Sequence, residues 1–249
     1  MQIYKIIYLA RRNPALSREE FPEAWREHSR LGTRFASTLG SHFVSLRQCA
    51  RIWERDLPES YADRHDGAML SAMKSFEDMQ AARSHPRTLD EMKKDEERVF
   101  ADYVGRSSMP AEERVIVDRG DGEFVLLSFL ARRPEIDEAT FAAQLAAAWE
   151  DATELPKTLR PASRIAVNRV LEPAAAPYDF AAVQELWFDS RASAERAARD
   201  ETVVAILEQA AIADPARGVR MFARINYAKR TAISPAGETV WEVEYEGSA

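Results

Sequence analysis

Histidine is the side chain that titrates closest to neutrality, and one of the four in this chain sits where its surroundings can be read from spacing alone. Between Leu16 and Leu39, Phe21, Ala24, Trp25, Leu31, Phe35 and Leu39 recur three and four residues apart, so a helix gathers them on one face. His28 falls on that face. An inward histidine is either a structural hydrogen-bonder or a proton-transfer group, and apolar neighbours such as Trp25 and Phe35 favour its neutral, proton-accepting form. His42 opens the second strand and His65 with Asp66 opens the third. All three are placed to approach one pocket mouth, where they would orient His28 or act as the opposite proton donor; each also reads as an exposed residue at a loop edge. Tyr8 and Tyr61 can donate a proton or hold an oxyanion, and together with Trp25 and Phe35 they are the candidate substrate-binding residues. His85, before Pro86 in a polar stretch, reads as surface.

Other chemistries find little support. His28, His42, His65 and Asp66 could in principle converge on a metal, yet no HxH, HExxH or CxxC spacing backs that, and no metal is expected. No glycine-rich phosphate loop appears, and no cofactor is expected. Cys49 is the single cysteine, which excludes an internal disulfide. A net charge of −7 argues against nucleic-acid or anionic-membrane partners, since either demands a basic surface. No apolar run approaches membrane-spanning length, and MQIYKIIYLARR lacks the basic start and cleavage-like site of a signal peptide, so a cytoplasmic location is expected.

The elements that must position these residues follow in order. Ile3 to Ala10 reads as a strand ended by Arg11 and Arg12. Ser17 and Glu20 have capping-box spacing, with Leu16 and Phe21 as a hydrophobic staple, so the helix runs from Leu16 to Leu39. HFVSLRQCARIW, residues 42 to 53, alternates as a half-buried strand; residues 54 to 65 are a charged loop; Gly67 to Met73 is a strand. Ser75 caps a helix to about Arg83, Pro86 interrupts, and Thr88 to Val104 continues helical with Met92, Val99 and Phe100 inward. The charge run KKDEER, residues 93 to 98, reads as solvated surface. Arg114 to Val117 closes a β-α-β-β-α-β order.

After the turn at residues 119 to 122 the pattern restarts. EFVLLSFLARR repeats the first strand down to its ARR end, and Ile136, Asp137 and Phe141 take the places of Leu16, Ser17 and Phe21. The offset of about 120 residues sets Leu145 opposite Trp25 and Ala148 opposite His28, so the second copy lacks the histidine. A strand within 164 to 171, the segment VQELWFDSRASAERAARD and a strand from Val219 to Tyr227 complete it, and GETVWEVEYE adds an extra strand. The chain is therefore read as two domains, 1–119 with the candidate site and 120–249 degenerate.

ARRNPALSREEFPEAWREHSRLG, with ELWFDSRASAERAA and ADPARGVRMF, resembles the EthD family of the dimeric α+β barrel group. That resemblance implies an α+β fold of tandem ferredoxin-like β-α-β-β-α-β units forming an intramolecular dimeric α+β barrel, a pseudo-dimer, and leaves open a further homodimer. The group includes lactone isomerases, polyketide cyclases, dehydratases and cofactor-free oxygenases. Two functions are carried forward. One is a cofactor-independent lyase or isomerase acting by acid-base dehydration, elimination or cyclisation on a small hydrophobic oxygenated molecule, with His28 as base. The other is a non-catalytic binding or accessory protein of an oxidative pathway.

Overall fold

The computed structural model describes residues 2–35, 40–53, 65–84, 88–150 and 155–247. Tyr61 and His85 lie outside the described residues. The fold is mixed α+β, and among the described residues no helix is long and apolar enough to cross a membrane.

The chain divides into two compact units. The first takes Met1–Ala50, Arg64–Glu112 and Ile225–Ala249; the second takes Arg51–Asp63 and Glu113–Arg224. In the first unit lie strands β1 (Tyr4–Ala10), β2 (Phe43–Arg51, its last residue excepted), β3 (Gly67–Met73), the start of β4 (Met109–Asp118), and the antiparallel pair formed by the end of β8 (Val219–Ile233) and β9 (Thr239–Glu246). β3 pairs with β1 and β2, and β1 with β4, so the order is β2-β3-β1-β4 and every neighbour is antiparallel. Helices α1 (Phe21–Leu31), α2 (Phe76–Ser84) and α3 (Lys93–Val99) belong to this unit.

In the second unit, β5 (Phe124–Leu130) pairs with β7 (Ala182–Phe188) and β8, and β6 (Ala162–Val170) pairs with β7. The order β6-β7-β5-β8 follows the same sequence rule as the first unit. Helices α4 (Glu138–Ala147), α5 (Arg191–Arg199) and α6 (Glu201–Glu208) accompany it. Their core gathers Phe141, Leu145, Trp149, Leu186 and Leu207, and the Trp149 indole donates to Gln184 at 2.8 Å. Asp137 caps α4 as its sequence position requires, and Ala148 ends the helix.

α1 is shorter than the periodicity implies. The Ser17 amide donates to the Glu20 carboxylate at 2.8 Å and the Glu20 amide to Ser17 Oγ at 3.1 Å, a complete capping box. At the other end Gly32 turns the chain into a 3-10 segment, Gly32–Phe35, which ends the α-helical register before Phe35. The expected long helix from Thr88 is likewise split, into a π turn at Thr88–Met92, then α3, with Phe100 already extended.

Candidate functional site

α1 is held in place by polar bonds as much as by packing. The buried Gln48 side chain on β2 donates to the Trp25 carbonyl at 2.8 Å, and its own carbonyl accepts from Asn226 of β8 at 3.1 Å. Asn226 in turn accepts from Arg26 at 2.6 Å and donates to the Pro22 carbonyl at 2.9 Å. Lys229 donates to the Ser29 carbonyl at 3.3 Å, close to the negative end of the helix. These bonds satisfy buried polar groups that would each destabilise the fold if left open, and they fix the rotation of α1.

That rotation places His28 inward, only 4% exposed, as its spacing predicts. Its ring meets Phe100 edge-on at 5.4 Å, and its Nδ1 lies 2.9 Å from Asp95 Oδ2 on α3. Burial lowers the His28 pKa; Asp95 opposes that effect, while Arg98 and Lys229 add to it. Burial also works against Asp95 ionising, but hydrogen bonds from Arg98 and His28 outweigh it and hold the carboxyl below its ordinary value. Asp95 is therefore the anion and His28 the neutral imidazole, donating from Nδ1 and keeping its base lone pair on Nε2.

The apolar wall differs from expectation. Trp25 is fully buried in a cluster with Phe21 (5.2 Å), Phe100 (6.1 Å) and Tyr8 (6.5 Å), so it is core rather than substrate-facing. Burial pushes the Tyr8 phenol far above its ordinary range, a Trp25 contact opposing and the charge of Glu96 reinforcing the shift, so Tyr8 holds its proton. Phe35 lies in the 3-10 segment, and its side chain is outside the described residues.

His42 and Asp66, expected beside His28, have commitments of their own. His42 Nδ1 is 2.7 Å from Asp78, whose other oxygen accepts from the Ser75 hydroxyl at the start of α2. Asp66 is buried and spends both oxygens on Arg12, one on its guanidinium and one on its amide at 2.9 Å. Arg12 also donates to the Leu16 carbonyl at 3.1 Å, and Arg132 donates to the Ile136 carbonyl in the equivalent bond of the second unit. The two arginines thus close strand into helix in each unit. His65 is buried next to Asp66.

A cavity of about 330 Å³ opens in the first unit, lined by none of the candidate site residues. Lys93, Glu96 and Glu97 of α3 line it with Phe100, Asp102 and Tyr103. Asn13 pins its wall, taking its amide to the Val99 carbonyl at 2.8 Å and its side chain to the Glu97 carbonyl at 2.7 Å. Burial raises the Glu96 carboxyl to about 7, against the opposing Val104 amide and the Lys93 charge. Glu96 thus exchanges a proton near neutrality, the poise a general acid-base group needs. The site is more polar than the apolar pocket expected around His28, and His28 does not line it. Phe100 is the shared element, touching both His28 and the cavity.

Asp95 and Glu96 come from KKDEER, the run read as solvent-facing. Met92, Asp95, Glu96, Val99 and Phe100 nevertheless fall three and four apart. The inward assignment of Met92, Val99 and Phe100 already carried both carboxylates toward the interior.

The EthD domain family matches residues 13–103, which hold His28, Asp95, Glu96 and all of the cavity lining. Among curated proteins no sequence matches the chain. Among solved structures, one described as an anthrone oxidase-like protein aligns with a TM-score of 0.60 at 9% identity, covering 92% of this chain and 93% of its own. A protein provisionally named a monooxygenase, from Fusobacterium nucleatum subsp. nucleatum, aligns at 0.54 and 10% identity over 99% and 98%. Another so named, from Lactobacillus acidophilus, aligns at 0.50 and 6% identity over 97% and 99%. At these identities the likeness is one of fold.

Proposed function

We propose that the chain is a small-molecule enzyme whose first unit transfers protons at the Glu96 cavity. The observation that carries this reading is a half-buried carboxyl, poised at about 7, on the wall of a cavity large enough for a small organic ligand. Glu96 as carboxylate removes a proton from carbon next to a carbonyl, leaving the electron pair as an enolate. Returning that proton to a departing hydroxide releases water and completes a dehydration; returning it to another carbon completes an isomerisation. The His28–Asp95 pair lies behind Phe100 in this scheme and holds α1 against α3.

The second unit has Ala148 where the first has His28, and its matching strand order and its Arg132 bond support descent from a duplication that left one active copy. On this reading the chain is built of tandem ferredoxin-like units.

An oxygenase reading is favoured by the names of the structural neighbours. The enolate would then react with dioxygen, and loss of water from the resulting hydroperoxide would leave a new carbonyl. Oxygen uptake during turnover distinguishes the two. For either, Glu96→Gln should cut turnover about 10²-fold or more while the melting temperature holds, and His28→Asn should act mainly on stability. Turnover that survives Glu96→Gln but vanishes in a folded His28→Asn variant would return the base to His28. Saturable binding without turnover in all three proteins would favour the accessory role.

A further inference from the structure

We infer that Lys93 is the group that stabilises the developing oxyanion in the Glu96 cavity, and that the cavity takes an uncharged, enolisable ketone bearing an aromatic ring in preference to a carboxylate. This rests on the reading of Glu96 as the base.

Lys93 and Glu96 are three residues apart on α3 and line the same cavity, so one helical turn presents an ammonium and a carboxyl side by side. Among the described residues Lys93 makes no ion pair; its ammonium stands 5.1 Å from the centre of the Tyr103 ring, which keeps it at the cavity over an aromatic face. Its donors are therefore available to an oxygen of the ligand. Phe100 and Tyr103 supply flat surfaces for a ring.

The remaining charges decide what kind of molecule can enter. Besides Glu96, the carboxylates of Glu97 and Asp102 line the cavity, and among the described residues only Asp102 is paired, with Arg11 at 3.3 Å. A ligand that arrives as a carboxylate meets this negative field, and it would also occupy Lys93 in the ground state, where binding gives no acceleration. A neutral ketone avoids both penalties. Its oxygen gains charge only as Glu96 takes the adjacent proton, when the carbon–hydrogen electron pair becomes the enolate double bond and the carbonyl pair moves to oxygen. Lys93 then acts on charge present in the transition state and absent from the substrate.

The test is exchange of the protons next to the carbonyl of β-tetralone in D2O, followed by proton NMR with the full chain. Wild type is expected to exceed the buffer rate, Glu96→Gln to return to it, Lys93→Met to lose about tenfold or more, and Lys93→Arg to keep most of the rate. A β-tetralone bearing a ring carboxylate is expected to exchange at least about tenfold more slowly than the neutral probe. If Lys93→Met matches wild type while Glu96→Gln is inactive, the Lys93 role is wrong and the base stands. Equal rates for the neutral and charged probes overturn the substrate class. A wild-type rate no greater than buffer, or one that Glu96→Gln leaves intact, overturns the underlying base reading.

Discussion

Lys229 should make this protein more stable in mild alkali. Its side chain is 2% exposed, and burial lowers its pKa from 10.5 to about 8. At about 1.4 kcal/mol per pH unit, that difference is a penalty of roughly 3 kcal/mol on the charged folded form. The hydrogen bond to the Ser29 carbonyl and the Trp241 ring 4.4 Å from the ammonium offset part of it. Below pH 8 the lysine is charged in both states and the penalty is complete. Between 8 and 10.5 the folded state binds fewer protons than the unfolded one, so stability rises with pH and the penalty is gone above that window. Lys229→Met removes the charge at every pH. Urea unfolding at a series of pH values should therefore show the variant more stable by about 1–3 kcal/mol at pH 7, with the gap closing toward pH 10.5. A difference that does not change with pH, or a variant less stable at every pH, would mean that the ammonium is well solvated by its contacts, and the burial argument would be refuted.

The same variant should raise the His28 midpoint in a proton NMR titration, because the positive charge of Lys229 helps to depress it. Asp95→Asn should move His28 the other way, removing the carboxylate that resists the depression; an unmoved midpoint would show that the pair is not formed in solution. Gly67→Ala should destabilise by about 1–3 kcal/mol in denaturant unfolding, since a methyl there would stand 2.5 Å from both the Cys49 carbonyl and the Trp25 ring. A neutral outcome would mean that β3 and α1 are packed more loosely than these distances require.

Much of the architecture was legible because local and global signals agree. The Ser17–Glu20 capping bonds form as their spacing predicts, just ahead of α1, the run from Gly67 to Met73 matches β3 at both ends, and the ARR strand ends are used alike in both units. Where α1 stops was not legible, because the chain tightens from α to 3-10 at Gly32 while the apolar spacing continues through Phe35. The inward turn of His28 was readable from periodicity, but its partner was not: Asp95 comes from 67 residues away in sequence. The larger miss was Glu96. Charge runs on helices are usually solvated, and only the phase of α3 against Met92, Val99 and Phe100 distinguishes the two carboxylates that face inward from those that do not. His42 and Asp66 carry chemistry-bearing side chains, yet Asp78 and Arg12 claim them for the α2 cap and the strand-to-helix corner.

The central claim, a base at Glu96 poised for work near neutrality, is tested most directly by titrating that carboxyl. Carbon-13 NMR of the glutamate-labelled full chain, with Glu96→Gln assigning the resonance, reports its midpoint without any knowledge of the substrate. A midpoint near 7 is expected from its burial at the cavity wall. A midpoint near the ordinary value of 4.5 would show that Glu96 is solvated and ionised throughout the neutral range, and the cavity would lose its base.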